Sequence, residues 1–375
     1  MKHEQDVPVA SGAILDRIKL EYADLLKFAA FSIEKLIAPE HIRFAEFCKE
    51  FSPHPQSDEL RKMAQSFGEK YGIWLASAKH YITCTLFLYP DAGFDRMAAI
   101  VKNNAVDYYL NDTMGRDVFG FLPVERQEAA SQIIHRMAAI GVDLKLDLNA
   151  DPLEIANAEV LTYIRDTSPA EWFSEFLEFY AHHIMVTHKD LNASAMNRIC
   201  TVQEYITQRN HTAGMHHIVL LIEYNTGRFL NWTWLREWKL AEPLKRLHWC
   251  VATFGALSND LFSFEKEVID NDSDSNLVMM MLLNHPELTL NEAIPRACEI
   301  VQNLVIDLFN LIDSIQKRVY YLPGPVSDQL AAHLRGIERC VQASWIWQVS
   351  TKRYKRPASI WEETTLIGEP VTNGI

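Results

Sequence analysis

Residues 258–267 read SNDLFSFEKE, and this stretch decides the interpretation of the chain. Asn259, Ser263 and Glu267 are spaced four residues apart. In an α-helix a step of four residues turns by only about 40°, so all three side chains project from one face. Bulky apolar residues lie between them and are expected to pack against other helices. The sequence therefore predicts a packed helix with a line of polar side chains along one face.

This line of side chains offers an amide oxygen, a hydroxyl and a carboxylate. These are hard oxygen donors, which suit magnesium and are poor ligands for zinc or copper. Asn and Ser are also weak helix formers that are common on solvated surfaces. The spacing alone therefore leaves two interpretations open: a magnesium site, or the solvated face of a surface helix.

Helical periodicity extends through most of the chain. Apolar residues recur with a period near 3.6 in residues 14–37, 60–67, 97–110, 124–140, 169–184, 195–206, 243–268 and 293–319. The 14 glycines and 15 prolines in 375 residues fall below the average combined share of about 12%, which favours helices over many short strands.

One segment is ambiguous, because YITCTLFLY at residues 81–89 fits either a strand or a buried helix. We predict an all-α fold with an N-terminal extension at residues 1–40, one helical domain at 41–355 and a C-terminal tail at 356–375.

Charge and cysteine content exclude several classes of protein. The chain has 36 Lys and Arg against 49 Asp and Glu, a net charge of −13, which argues against a nucleic-acid binder. An anionic substrate would need bound cations or a local basic cluster. The six cysteines form no Cys-x-x-Cys pair, which fits a reduced cytosolic enzyme. No signal peptide and no membrane span is predicted, so we expect a cytoplasmic protein.

The spacing of Asn259, Ser263 and Glu267, with Lys266 before the glutamate, resembles the NSE metal-binding motif of class I terpene synthases of the bacterial type. Asn-Leu-Val at residues 276–278 resembles the usual continuation of that motif. The resemblance implies a single-domain helical bundle with a central active-site cavity. It also implies that Asn259, Ser263 and Glu267 bind magnesium.

A second metal motif of this family is rich in aspartate, and residues 108–117, YYLNDTMGRD, resemble it. Asn111 stands where the first aspartate is expected, and the next acid, Asp117, comes later than usual. The resemblance makes Asp112 the expected magnesium ligand, with Asn111 and Asp117 as further candidates. The alternative is a helix C-terminus at Gly115 followed by a solvated Arg116–Asp117 pair.

Residues 205–215, YITQRNHTAGM, resemble the helix break that senses diphosphate in this family. The resemblance makes Arg209 the sensor, Thr212 the linker and Ala213 the effector, whose carbonyl faces the allylic carbon.

Arg353 and Tyr354 resemble the terminal Arg-Tyr pair of the family. Arginine can bind a phosphate through two hydrogen bonds, and a tyrosine hydroxyl can donate one more. The resemblance implies that Arg209, Lys266, Arg353 and Tyr354 contact the substrate diphosphate. Residues 52–55, SPHP, resemble the start of the catalytic domain.

The resemblance implies a magnesium-dependent terpene cyclase that uses three ions. Such an enzyme ionises a linear prenyl diphosphate, farnesyl or geranylgeranyl diphosphate, and cyclises the cation to a hydrocarbon or alcohol with release of diphosphate. Two alternatives remain: a coupling prenyltransferase of the same architecture, for which a second full aspartate-rich motif is missing, and a catalytically silent helical protein that binds prenyl diphosphates or a protein partner. A homodimer is the common default.

Aromatic side chains are expected to line the cavity and stabilise a carbocation. The candidates from their nearness to the motifs are Phe94, Tyr108, Phe254 and Trp345, each of which also fits ordinary core packing. The pairs His182-His183 and His216-His217 are interpreted as structural or peripheral, because adjacent side chains leave a helix on different faces.

Overall fold

The computed structural model describes residues 7–28, 30–49 and 51–366, and within these ranges the protein is helical. The helices are α1 (Val7–Phe28), α2 (Ile33–Ile37), α3 (Phe44–Phe47), α4 (Ser57–Lys70), α5 (Ala78–Leu88), α6 (Phe94–Met114), α7 (Arg116–Phe119), α8 (Val124–Ala138), α9 (Pro152–Asp166), α10 (Ala170–Val186), α11 (Ala193–Met196), α12 (Val202–Thr212), α13 (Met215–Thr226), α14 (Trp232–Glu237), α15 (Ala241–Phe264), α16 (Leu277–Asn284), α17 (Leu290–Val319) and α18 (Gly324–Ser350). No strand forms in these ranges, where β pairing is limited to isolated bridges. The predicted all-α fold is confirmed.

Helix α15 is the centre of the bundle. It packs against α12, α13, α16, α17 and α18, and from Cys250 to Phe264 all but one of its residues are buried. The exception is Asn259, which is half-buried. A helix that is apolar on nearly all sides is stable only when neighbours surround it. The predicted motif helix is thus the core helix of the protein, and the interpretation as a surface helix is wrong.

The ambiguous segment at residues 81–89 is helical, because it lies within α5 and its last residue caps that helix. Helix α5 packs against α6 on one side and α18 on another, so its apolar residues are covered on more than one face. An uninterrupted apolar sequence fits such a helix as well as it fits a strand.

The single helix expected over residues 14–37 is wrong. Helix α1 ends at Phe28, and Ser32 begins α2 by accepting a hydrogen bond from the backbone amide of Lys35. Between the two helices, the backbone of Phe31 forms hydrogen bonds with residues 360 and 362, which interrupt the helix. The contact comes from the far end of the chain, so local periodicity did not predict it.

The helix expected over residues 195–206 is also divided, into α11 and α12. Asn197 ends α11 in the left-handed conformation with φ of 51°, which cannot continue a right-handed helix. Thr201 then begins α12 with a capping box completed by Glu204.

Both ends of the described chain pack near the extension of α15, a π-helical turn at Glu265–Asp270. Tyr22 of α1 donates a hydrogen bond to Glu265 at 2.8 Å, and Ser11 donates to Asp274. The backbone amide of Ile360 also donates to Glu265, at 3.0 Å. These contacts fix the segment that carries Glu267.

Candidate active site

A cavity of about 190 Å³ lies among α5, α6, α10, α12, α13, α15 and α18. Most of the residues singled out in the sequence line it, although they come from separate segments. These are Asn111, Arg209, Thr212, Ala213, Asn259, Glu267, Arg353 and Tyr354. Asp112, Ser263 and Lys266 are not part of its lining. The side chain of Asp117 lies outside the described residues.

Asn259 connects three of the predicted motifs. Its side-chain Nδ2 donates to the Tyr354 hydroxyl at 2.7 Å, and its Oδ1 accepts from Arg209 Nη2 at 3.1 Å. Asn259 and Tyr354 are 95 positions apart in sequence. The fold therefore places part of the NSE motif, the helix break and the terminal Arg-Tyr pair in one hydrogen-bonded network at the cavity wall.

Glu267 does not continue the helical line from Asn259 as expected. The α-helix ends at Phe264, and Glu267 lies in the π-helical turn, where hydrogen bonds span five residues instead of four. The backbone at Glu267 therefore departs from the regular α-helix that the spacing predicted. Glu267 still lines the cavity, where its carboxylate accepts from Asn276 at 3.1 Å and Arg116 at 3.4 Å.

Ser263 is buried behind the cavity wall. Its hydroxyl oxygen has no hydrogen-bond partner among the described residues, although it is almost fully removed from solvent. A buried hydroxyl without a partner is costly, unless a bound group satisfies it.

Arg209 is held rigidly in a buried ion pair. Its Nε donates to Asp260 Oδ1 at 2.7 Å, and Asp260 also accepts from the Tyr205 hydroxyl at 2.5 Å. Burial opposes the charged guanidinium, but the Asp260 carboxylate outweighs it and raises the pKa of Arg209. Arg209 is therefore a permanent cation at the cavity wall.

The helix break expected at residues 205–215 is present. Helix α12 ends at Thr212, and Gly214 has φ of +69° before α13 begins at Met215. Thr212 Oγ1 donates to the carbonyl of Arg209 at 3.2 Å, and the amide of Ala213 donates to the same carbonyl at 3.0 Å. The break thus turns the end of α12 into the cavity.

Arg353 and Lys266, the two other predicted diphosphate-binding cations, lie at different distances from the cavity. The guanidinium of Arg353 lines the cavity, donates to the Tyr81 hydroxyl and lies 5.4 Å from the Tyr81 ring centroid. Lys266 lies half-buried in the π-helical turn, outside the lining of the cavity.

The aspartate-rich segment contributes less than expected to the cavity. Asn111 lines the cavity, whereas Asp112 accepts hydrogen bonds from Asn111 at 3.0 Å and Ser77 at 3.4 Å. Gly115 caps α6, which agrees with a helix end. The alternative interpretation, in which Arg116 is solvated, is wrong. The side chain of Arg116 lines the cavity and donates to Ser275 at 3.3 Å as well as to Glu267.

Sequence reasoning missed two further charged residues in the cavity, Asp107 and His183, which form a hydrogen bond of 2.9 Å. His183 is therefore not peripheral. The signal for Asp107 was its position four residues before Asn111, which places both on one face of α6. The sequence offered no comparable signal for His183.

Among the aromatic candidates, Tyr108 lines the cavity and stacks on Tyr81 with ring centroids 3.8 Å apart. Phe254 and Trp345 belong to the core, where both contact the ring of Phe44. Phe94 also packs against the core.

Comparison with known proteins agrees with this arrangement. Residues 112–307, just over half of the chain, match the family described as "Terpene synthase family 2, C-terminal metal binding". The chain is 22% identical to the 10-epi-cubebol synthase of Sorangium cellulosum over 314 residues, which cover 82% of this chain and 95% of that protein. It is 25% identical over 154 residues, 41% of this chain and 43% of the relative, to a 4-epi-cubebol synthase of Streptosporangium roseum described as "(2E,6E)-farnesyl diphosphate cyclizing".

The fold is similar to that of a solved structure, germacradien-4-ol synthase from Streptomyces citricolor. The TM-score is 0.68 with 16% sequence identity, and the match covers 86% of this chain and 100% of the other. Within the described residues no helix has the length and apolar character that a membrane crossing requires. The family match and the helical bundle around the cavity show that the chain belongs to terpene synthase family 2 and is a class I terpene synthase.

Proposed function

We propose that this protein is a magnesium-dependent terpene cyclase that acts on farnesyl diphosphate. The observation that carries the proposal is the network at the cavity wall, in which Asn259 forms hydrogen bonds with both Arg209 and Tyr354. Glu267 and Arg353 lie in the same lining. Fixed cations beside hard oxygen donors suit a metal-bound diphosphate. The relative described as cyclizing (2E,6E)-farnesyl diphosphate supports the choice of substrate.

The residues present fit a magnesium site on the α15 side of the cavity. Asn259 and Glu267 supply an amide oxygen and a carboxylate, and the buried Ser263 hydroxyl lacks a partner that a metal would provide. Asn111 and Asp112 form the other candidate site, with Asp117 nearby in sequence. Three bound magnesium ions would neutralise the charge that develops on the departing diphosphate.

Arg209, Arg353 and Tyr354 bind the diphosphate oxygens in this proposal. The two guanidiniums are already at the cavity wall, so little reorganisation is needed when the substrate binds. Lys266 would have to turn toward the cavity to reach the same group. Arg116, which donates to Glu267, adds a third guanidinium, and it would be available to the diphosphate if the Glu267 carboxylate held a magnesium ion.

Thr212 and Ala213 place the helix break next to the reacting carbon. The end of α12 leaves backbone carbonyl groups without continuing helical partners, and these dipoles point their negative ends away from the helix. An Ala213 carbonyl directed at the allylic carbon would stabilise positive charge that appears there on ionisation. The rings of Tyr81, Tyr108 and Trp347 supply aromatic faces for the later cations.

The proposal assigns catalysis to residues 41–355, with residues 1–40 as an extension that supports the NSE segment and residues 356–375 as a tail. The six cysteines are free thiols, which fits a reducing cytoplasmic compartment. A homodimer is the expected assembly, and measuring the mass in solution by light scattering tests it.

The direct test incubates purified protein and magnesium with geranyl, farnesyl and geranylgeranyl diphosphate in turn. The released diphosphate is measured in parallel with the terpene products, and the products are identified by gas chromatography and mass spectrometry. Cyclic products from farnesyl diphosphate that disappear on chelation of the metal would support the proposal. Folded protein that releases diphosphate from no substrate would overturn it, and cyclic products only from the twenty-carbon substrate would overturn the assignment of chain length.

A further inference from the structure

The cavity wall carries an ion pair that the metal and diphosphate motifs do not use. Asp107 lies on α6 and His183 on α10, and His183 Nε2 donates to Asp107 Oδ1 at 2.9 Å. Both residues line the cavity, yet their side chains are only 15% and 8% exposed. A carboxylate and an imidazole from two different helices therefore meet at the inner surface.

The pair lies beyond the diphosphate end of the cavity. Asp107 precedes Asn111 by four residues on the same face of α6, which corresponds to about 6 Å along the helix. Asn111 and Asp112 are near the C-terminal end of that helix, where the diphosphate is expected. His183 contacts the helix break, because its Nδ1 forms a hydrogen bond of 3.3 Å with the carbonyl of His211. If the diphosphate binds at that end, the carboxylate is expected to face the hydrocarbon chain of the substrate.

Each member of the pair favours the charged state of the other. Burial disfavours each charge, but mutual attraction and the hydrogen bond outweigh it, so the pKa of His183 is raised and that of Asp107 is lowered. The charged ring donates from both nitrogens, to Asp107 and to the His211 carbonyl, which fixes its orientation. Among the described residues no hydrogen bond reaches the second oxygen, Asp107 Oδ2.

Stability gives little reason for such a pair at a cavity wall. Replacing a buried ion pair with apolar side chains of similar size is often neutral or stabilising, because the two charges lose their hydration. The same cost has a chemical use, since a dehydrated carboxylate is a stronger base toward a nearby cation than one in water.

We propose that Asp107 is the base that ends the reaction and that His183 is its positioning residue, an inference that rests on the proposed function. Asp107 Oδ2 takes a proton from the carbon next to the last cationic centre. The two electrons of the broken C–H bond form the new C=C bond and neutralise the cation. The proton stays on the Asp107 carboxyl until the released diphosphate or water carries it away, which restores the carboxylate.

The first experiment compares the wild-type protein with Asp107→Asn, which keeps the size and removes the charge. We expect diphosphate release to stay within about tenfold of wild type, because ionisation depends on the other end of the cavity. The main hydrocarbon should fall at least tenfold as a share of products, replaced by alcohols or by alkenes from earlier cations. Glu154→Gln is the matched control, since it neutralises a buried carboxylate that is ion-paired with Arg136 outside the cavity lining and should keep the main product.

The second experiment follows the product ratio of the wild-type protein as pH rises through the raised pKa of His183. Loss of the ring proton removes the charge beside Asp107, so the carboxylate becomes more basic and the ratio shifts. The other titratable groups facing the pair are Tyr108 on α6, Tyr180 and His182 on α10, His211 on α12, and His216 and His217 on α13. These histidines are already neutral at pH 7, because burial lowers the pKa of each below 6.5. A His183→Gln variant should show a product ratio independent of pH.

Each result decides the proposal. The proposal is overturned if Asp107→Asn makes the wild-type products in the wild-type proportions. It is also overturned if the folded variant no longer releases diphosphate. If that variant does not fold, a wild-type product ratio constant from about pH 6 to about pH 9 would overturn it instead. A wild-type protein that releases no diphosphate from any substrate overturns the proposed function, whereas release with unchanged products in the variant overturns this inference alone.

Discussion

Glu265 and Glu267 lie two residues apart in the same π-helical turn, but their surroundings give them different roles. Glu265 is 2% exposed and accepts hydrogen bonds from Tyr22, Ser359 and the amide of Ile360, all outside the cavity. Glu267 lines the cavity. Glu267 also accepts hydrogen bonds, from Asn276 and Arg116, but its position in the lining lets a metal ion in the cavity reach its carboxylate, whereas the donors around Glu265 lie outside the cavity.

Replacing Glu267 with glutamine should therefore change metal dependence more than stability. The amide keeps the size but loses the charge that attracts magnesium, so we expect turnover to fall about 100-fold and the magnesium concentration for half-maximal rate to rise. Steady-state diphosphate release at varied magnesium measures both. Glu265→Gln is the comparison variant: it should lower the urea midpoint and change the magnesium dependence less than Glu267→Gln does. Full turnover by Glu267→Gln would contradict the metal assignment.

At this scale, residues within one motif were predictable and contacts between segments were not. Asn259, Ser263 and Glu267 share a spacing that can be recognised in the sequence. Asp107 and His183 are 76 positions apart, and no local pattern connects them. The π-helical turn at Glu267 was also not predictable, because nothing in the local sequence distinguishes it from a continued α-helix.

Among the elements, the break between α12 and α13 is specified by one glycine. Gly214 has φ of +69°, a conformation that costs residues with a Cβ about 1 kcal/mol or more. A Cβ at this position would also lie 3.0 Å from carbon atoms of both His183 and His217. The break therefore depends on Gly214 for its backbone and for the space it leaves to the two rings.

A Gly214→Ala variant should lose stability and change the products. We expect a loss of about 2 kcal/mol or more in the free energy of unfolding, from the backbone cost and the contact with His183 together. Gly72→Ala is the matched control, because Gly72 has φ of +68° but nothing within 4 Å of an added Cβ, so it should lose only about 1 kcal/mol. Urea unfolding measures both losses. Equal losses would show that the two histidine rings do not constrain the break.

Helix α1 should contribute to the stability of the NSE segment through Tyr22. Its hydroxyl donates to Glu265 at 2.8 Å, and burial together with Glu265 raises the pKa of Tyr22 above its usual value. Tyr22→Phe removes a hydrogen bond to a charged acceptor, so we expect a loss of about 1.5–3 kcal/mol in the free energy of unfolding. Tyr320→Phe is the control, because Tyr320 is 85% exposed and should give no measurable change. If Tyr22→Phe leaves the free energy of unfolding unchanged, water replaces the lost hydrogen bond.

Some helix boundaries are set by neighbouring residues, and others are set by contacts with distant parts of the chain. The capping box of Thr289 and Glu292 begins α17, and because both partners lie within four residues, the local sequence is enough to mark this boundary. The end of α1 depends instead on backbone pairing of Phe31 with residues near the C-terminus. Interactions between segments far apart in sequence leave no mark in local periodicity, so the number of helices was harder to predict than the fold class.

The whole molecule has a net charge of −13 and also contains a set of half-buried or buried histidines whose pKa values are lowered. Burial and neighbouring histidines lower the pKa of His217 to about 3 and that of His216 to about 4. His248 is half-buried, with a ring nitrogen 2.7 Å from one of the buried His333, and desolvation lowers its pKa to about 4. In the unfolded chain each of these rings takes up a proton near pH 6.5, so acid favours unfolding.

Stability should therefore fall as pH decreases from about 6.5 toward about 4, at up to about 1.4 kcal/mol per pH unit for each histidine that is neutral only when folded. Glu223 opposes this, because burial raises its pKa to about 8 and the folded protein gains a proton there. The pKa is lowered in seven histidines, which are His182, His188, His211, His216, His217, His248 and His333. It is raised in five groups that act in the opposite direction, which are His183, Glu175, Glu223, Asp274 and Glu338. The larger number of histidines leaves the net slope positive over the interval. Urea unfolding followed by circular dichroism from about pH 7 to about pH 4.5 measures it. His248→Gln removes one of the half-buried rings and should flatten the slope, whereas pH-independent stability in the wild type would contradict the neutral state of these rings in the folded protein.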